Sequence, residues 1–280
     1  MKALLGKTVF IAGSEKNAGK TCFFNYALNK LRGRTRLAFL SSGLDGESED
    51  MAFGGRKPRV AVFPGEIIAT SQSSLAAADA GCEVLEVFPA ATALGKMAVV
   101  RILRGGFMEL SGPASNARLA EIIASLRGGF GAQTVLVDGA ANRLTQLSAA
   151  DGAGFVYVAK VERLRAQAVA DALALLRELS ELRAGMRGLF IEGALTPQRA
   201  QAVPQKEKRI VLEDCTKVFL NLPQWRAFAR GRKIYFRRRF GLIFAVANLY
   251  DISRGRFAEM LKDFPPEKLV FNPYEDIRGV

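Results

Sequence analysis

The chain has no histidine among its 280 residues. That removes the commonest general base and the usual metal-binding imidazole, and with them every Ser/His or Cys/His nucleophile scheme. Chemistry in this chain must run on carboxylates, lysine, backbone amides and any bound cation. Cysteine is scarce as well. Cys22, Cys82 and Cys215 lie far apart and form no CxxC pair, so neither a disulfide framework nor a thiolate zinc site is expected. No apolar run approaches the roughly 18 residues of a membrane span. Only Met1 to Lys7 precedes the first apolar run, which is too short for a signal peptide, so the cytoplasm is the expected compartment.

Acidic residues are in deficit, 27 against 40 lysines and arginines, for a formal net charge of +13. Such an excess is either a solvated basic surface or an attraction for polyanions, whether nucleic acid or phosphate-bearing cofactors. Part of it is crowded into one segment. Arg226, Arg230, Arg232, Lys233, Arg237, Arg238 and Arg239 are interleaved there with Trp225, Phe228, Tyr235, Phe236 and Phe240. Basic and aromatic interleaving can bind single strands. A charge run is usually a surface, however, and no recognised nucleic-acid motif accompanies it, so nucleic acid is not the favoured partner.

What is present is an ordinary globular composition, 49% hydrophobic and 24% charged, arranged as alternating strands and helices. Thr8 to Ala12 reads as a buried parallel strand, followed by a helix from Lys20 to Arg32 with Phe23, Phe24, Ala27, Leu28 and Leu31 on its apolar face. Leu37 to Leu40, Thr134 to Val137, Phe155 to Ala159, Gly188 to Ile191, Val218 to Leu220 and Leu242 to Ala247 are further strands. Ala117 to Leu126 and Arg163 to Leu182 are helices. The middle is β-rich, with Val60 to Phe63, Ile67 to Thr70, Ala98 to Leu103 and Phe107 to Leu110, and Gly105-Gly106 is a hairpin signal. Together these predict an α/β fold with a mostly parallel sheet, helices on both faces and a β-rich insertion at about 55–115. The whole of 1–280 is expected to form a single domain.

The motif that carries chemistry is Gly13-Ser14-Glu15-Lys16-Asn17-Ala18-Gly19-Lys20-Thr21, between the first strand and the first helix. A loop folded back over a helix N-terminus points main-chain N–H groups inward, and the helix dipole adds positive potential. Gly13, Ser14, Lys16, Asn17, Ala18, Gly19, Lys20, Thr21 and Cys22 are therefore the candidate nucleotide contacts. Lys20 can reach the β- and γ-phosphates, and the Thr21 hydroxyl can ligate Mg²⁺. Lys16 is either a further phosphate contact or a solvated lysine. Against GxxxxGK[ST] the first glycine is one place early and Ser14 stands in its slot. This spacing resembles the dethiobiotin synthetase and cobyrinic acid synthase branch of P-loop proteins.

A phosphate loop needs acids to hold Mg²⁺ and orient the attacking group. Asp138, ending the strand from Thr134, and Asp45, after the second strand, both occupy strand C-terminal ends, where open α/β sheets bind ligands. Both are candidates for the metal site with Thr21, and for catalysis with Lys20. The alternative for each is a turn-forming Asp before Gly. Asn248 follows a late strand, where it is either a base contact or a turn residue.

Several stretches together resemble one family. They are the loop with Asn25; Ser41-Ser42-Gly43-Leu44-Asp45-Gly46-Glu47 with Asp50; Lys57-Pro58; Pro64-Gly65-Glu66 with Ala69-Thr70; Leu110 to Ala114; Val137 to Arg143; and Gly193 to Thr196. The chain is similar in these to the ATPase subunit of the lysine 5,6-aminomutase reactivase. The resemblance covers most of the chain to about Thr196. It departs from the family pattern in Gly152 to Val161, in Leu249 after Asn248, and in the arginine-rich segment. It implies an ATP- and Mg²⁺-dependent factor that expels damaged cobalamin from an adenosylcobalamin-dependent aminomutase, working with a second, larger subunit. A homodimer is a further candidate assembly. Two other readings use the same loop: a small-molecule ligase or kinase of dethiobiotin synthetase type, and a nucleotide-gated assembly protein with negligible turnover.

Overall fold

Short apolar, β-branched runs bounded by glycine and charge make most of the strands, and 3.6-residue periodicity makes the helices. The computed structural model describes residues 1–42, 59–92, 94–141 and 144–274. The chain is mixed α/β, with a mostly parallel main sheet and packed helices. It divides into two compact units. The first is Met1–Gly13 with Lys20–Ala150, and the second is Ser14–Gly19 with Asp151–Val280.

The first unit holds β1 (Thr8–Gly13), β2 (Leu37–Ser41), β3 (Val60–Val62), β4 (Ile67–Ser71), β5 (Gly81–Thr92), β6 (Gly95–Arg104), β7 (Gly106–Met108) and β8 (Thr134–Ala141). Strand β8 pairs in parallel with β1 and β2, and β2 in parallel with β4; β6 and β5 then add in antiparallel fashion. The helix Lys20–Leu31 packs on β1 and β8, burying Phe23, Phe24, Ala27, Leu28 and Leu31, the face its periodicity predicts. Phe24 meets Phe39 of β2 edge-on, ring centroids 6.0 Å apart. Each such fully buried side chain contributes about 1.5–3 kcal/mol relative to exposure.

Two sequence expectations fail here. Gly105-Gly106 is not a hairpin. Strand β6 pairs with β4 and β5, while β7 pairs with β3, so the chain changes sheets at Gly105. The actual hairpin joins β5 to β6, with Thr92 opposite Gly95. Strand β5 escapes the sequence reading because it has three register shifts and contains Pro89, which blur the two-residue alternation.

The second unit contains β9 (Gly154–Val161), β10 (Arg183–Ala184), β11 (Leu189–Ile191), β12 (Arg209–Leu212), β13 (Lys233–Phe236), β14 (Gly241–Leu249) and β15 (Leu269–Phe271). Strand β14 pairs in parallel with β9 and β15, and the helix Ala166–Glu181 packs on β9 and β14. A separate four-stranded parallel sheet has the order β10-β13-β12-β11. Val218 to Leu220 is not a strand. Val218 makes one bridge to Leu195, between a turn capped by Asp214 and the helix Leu222–Ala229, whose start is fixed by an Asn221/Gln224 capping box. Strands β12 and β13 are only four residues long and begin on charged residues, so the sequence presents them as part of a charge run.

In the first unit β8 and β1 approach closely at Gly139. A Cβ there would lie 2.5 Å from the Ile11 carbonyl oxygen. Gly139→Ala is expected to cost about 2–3 kcal/mol, because two backbone segments must part. Gly128→Ala, with nothing within 4 Å of the added Cβ, should be near neutral. Urea unfolding midpoints check both, and equal midpoints for the two variants would contradict the close approach.

Candidate functional site

Strand β1 ends at Gly13, and the next six residues form an irregular loop that leads directly into the helix Lys20–Leu31. Within the second unit the loop is braced at both ends. Ser14 N–H donates to the Val158 carbonyl at 2.9 Å, and Ser14 Oγ accepts from Lys160 N–H at 3.4 Å. Glu15 pairs with Arg165 at 3.2 Å. Asn17 has φ +62° and Gly19 φ +95°, so two left-handed residues turn the chain within the loop. Ala18 is fully buried, and its carbonyl accepts from Asn248 Nδ2 at 2.6 Å. Asn248 Oδ1 accepts in turn from the Tyr274 hydroxyl.

This packing dictates glycine at position 19. A Cβ on Gly19 would stand 2.5 Å from Asn248 Nδ2 and 2.9 Å from the Tyr274 hydroxyl. Asn248, expected to be a base contact or a turn residue, is the penultimate residue of β14 and a buried brace of the loop. Lys16 and Asn17 are exposed, and Cys22 is an exposed free cysteine in the first turn of the helix.

Within the first unit the start of that helix faces Asp138. Thr21 Oγ1 donates to Asp138 Oδ2 at 3.4 Å, a long contact for a hydroxyl donor. The positive charge of Lys20 acts on the same carboxylate. Asp138 keeps part of its surface exposed, yet its Oδ1 is buried and has no hydrogen-bond partner. Burial pushes the carboxyl up to about 7, against the opposing pull of Lys20 and of the Thr21 hydroxyl. No acid lies in the first turn of the helix, whose leading N–H groups have no intrahelical acceptor. The main chain of Asp138 is held too: its carbonyl accepts from Ser42 N–H at 2.8 Å and from Ser42 Oγ at 3.1 Å. Gln146 clamps Ser42 by two hydrogen bonds, at 2.5 and 2.8 Å. Asp45, the other acid expected here, lies outside the described residues.

Beside Ser42 and Gln146 is a cavity of about 170 Å³, lined also by Pro113 to Asn116, Leu119 and Thr145. Sequence reasoning passed over Gln146, Lys160, Arg165 and Tyr274, whose partners here are distant in the chain. Ser42 enters it only as part of the stretch after the second strand, without a role.

The arginine-rich segment is largely committed to structure. Arg226 pairs with Glu178, and Arg238 with Glu213 and Asp214. Arg232 donates to the carbonyls of Val203, Glu207 and Phe228, and Arg237 stacks over Phe190. Trp225, Phe228, Phe236 and Phe240 are core residues, so they offer no stacking platform to a base.

The α/β fold with a mostly parallel sheet and the loop-to-helix junction are compatible with a P-loop type of protein. No protein-family model, curated protein or solved structure matches the chain. No helix among the described residues is long and apolar enough to cross a membrane.

The raised pKa of Asp138 means that the folded protein binds this proton more tightly than the unfolded chain. Its contribution to the stability of the nucleotide-free protein is therefore full below the ordinary carboxylate range and is lost as pH rises through about 7. Subtracting the stability of Asp138→Asn from that of the wild type at each pH isolates the contribution. The difference should fall between about pH 4 and about pH 7 and then level off. A difference that is flat or rises over that window contradicts the buried carboxyl.

Proposed function

We propose that the chain is a Mg²⁺-dependent ATP-binding protein of the P-loop type that couples nucleotide hydrolysis to the remodelling of a partner enzyme. The observation that carries this reading is the buried, unpartnered Asp138 Oδ1 beside Thr21 and Lys20, at the start of the helix that the loop feeds. A buried carboxylate oxygen without a partner is costly and calls for a missing one.

Mg²⁺ suits this donor set. It takes oxygen ligands, and the Thr21 hydroxyl and the Asp138 carboxylate supply them. Among the described residues there is no cluster of three or more metal-binding side chains, so the described residues supply part of a coordination shell. That is how Mg²⁺ is commonly held at phosphates, with water and substrate oxygens completing the shell. When bound, Mg²⁺ neutralises charge on the phosphate oxygens. Lys20 binds those oxygens as a point charge, and the helix N-terminus orients them.

The partner comes from the resemblance set out above: an adenosylcobalamin-dependent aminomutase, served together with a second, larger subunit. A second reading has one specific observation in its favour. The cavity beside Ser42 and Gln146 lies in the same unit as Asp138 and is of a size for a small acceptor. A bound carboxylate there would receive the γ-phosphate, as in a ligase or kinase of dethiobiotin synthetase type.

Lys20→Ala is expected to weaken ATP binding by about a hundredfold or more in calorimetry, because a charge-assisted contact to phosphate is lost. Unchanged affinity would remove the phosphate-loop reading. Turnover separates the two functions. ATP hydrolysis that is slow alone and rises with the aminomutase and its second subunit supports the coupling reading. Turnover that ignores the mutase but rises with a small carboxylic acid supports the ligase reading.

A further inference from the structure

The four-stranded sheet of the second unit has two chemically different faces. Residues in register across parallel strands point the same way, and alternate residues along a strand point opposite ways. Ile210, Leu212, Ile234 and Phe236 share one face and are buried. The other face carries Arg209, Lys233 and Tyr235, with Arg183 and the buried Val211 in register beside Tyr235. On this side is a cavity of about 360 Å³, lined by Gly185, Met186, Arg187, Arg209 and Tyr235.

The cations here differ from Arg226 and Arg238 of the arginine-rich segment. Arg226 and Arg238 are neutralised by carboxylates. Among the described residues, no acid pairs with Arg183, Arg187, Arg209 or Lys233, and all four are exposed. Two like charges, Arg187 and Arg209, line the concavity, with Lys233 beside Arg209 on the same sheet face, and a bound anion relieves their repulsion.

We propose that this cavity binds a small phosphorylated molecule carrying a planar ring. The phosphate is held by Arg187 and Arg209, and the ring lies against Tyr235 and Met186. Two guanidinium groups match the charge and the forked acceptor geometry of a phosphate dianion, whereas a carboxylate neutralises only one of them. Half-buried Tyr235 offers a flat apolar edge, and Met186, 69% exposed, offers a soft contact that an occupant would cover. The size of the cavity is at the small end for ligand pockets, which favours a compact molecule over a polymer. The site shares no residue with the phosphate loop and does not depend on its function.

Phenyl phosphate is the probe, titrated calorimetrically into the full-length wild type, Lys20→Ala and the double variant Arg187→Ala/Arg209→Ala. Wild type and Lys20→Ala should bind it equally, and the double variant at least about tenfold more weakly. Benzoate, with a similar ring and a single charge, should bind the wild type at least about tenfold more weakly than phenyl phosphate; this comparison does not depend on how a variant folds. The proposal is overturned if the double variant binds like the wild type, if Lys20→Ala abolishes the heat, or if benzoate equals phenyl phosphate. It is also overturned if single-stranded DNA binds more tightly than the probe and loses its binding in the same double variant, which would make the site a nucleic-acid surface.

Discussion

Asp138 lies inside β8, where its pairing with β2 ends, with one carboxylate oxygen removed from water and lacking a hydrogen bond among the described residues. A folded chain accepts that arrangement only where something else repays it, because burying a charged group without partners costs several kcal/mol, on the order of its effective desolvation. Lys20 and Thr21 repay part of it, the first by charge and the second by a long hydrogen bond. The surrounding main chain leaves the aspartate little room to escape. Ser42 holds its carbonyl from β2, and Gly139 allows β8 to pass against Ile11 with no room for a side chain. The carboxylate is thus fixed in a costly state, which the cation of the proposed function would relieve.

The loop is subject to a separate constraint of shape. Its reversal needs two left-handed residues, Asn17 and Gly19, and its underside is occupied by the amide of Asn248 and the hydroxyl of Tyr274. Preorganisation of this kind is what an anion site needs, since main-chain dipoles contribute most when they need not reorganise on binding. The same contacts explain why glycine at position 19 is a packing requirement as well as a conformational one.

Much of this was legible in the sequence, and the limits have physical causes. The strand–loop–helix order around Gly13 to Thr21 follows from local pattern, and the described structure has it. Asp138, expected to end its strand, instead lies inside β8, which runs on to Ala141 because it keeps pairing with β1 as far as Gly13. Local pattern could not reveal that Asn248 braces the loop, because the Ala18 carbonyl it holds is 230 residues away in the chain. Nor could it reveal β5, whose bulges erase its alternation, or the fact that β6 and β7 part at Gly105 instead of pairing. The arginine-rich stretch misleads for a similar reason. Its interleaved aromatics come from a short helix followed by a short strand, which turn Trp225, Phe228 and Phe236 inward while Tyr235 shares the face of Lys233. Which arginines remain unpaired is decided by acids elsewhere in the unit, such as Glu178 and Asp214, and not by neighbours in the chain.

The central claim of the proposed function is that Lys20, the start of its helix and the Thr21–Asp138 pair hold a polyphosphate with its cation. A crystal structure grown with Mg²⁺ and a non-hydrolysable ATP analogue tests this most directly. The account predicts density for the β- and γ-phosphates at the N-terminus of the helix Lys20–Leu31, with the cation between Thr21 and the Asp138 carboxylate. Nucleotide bound elsewhere, with the Thr21–Asp138 contact unchanged, would contradict it.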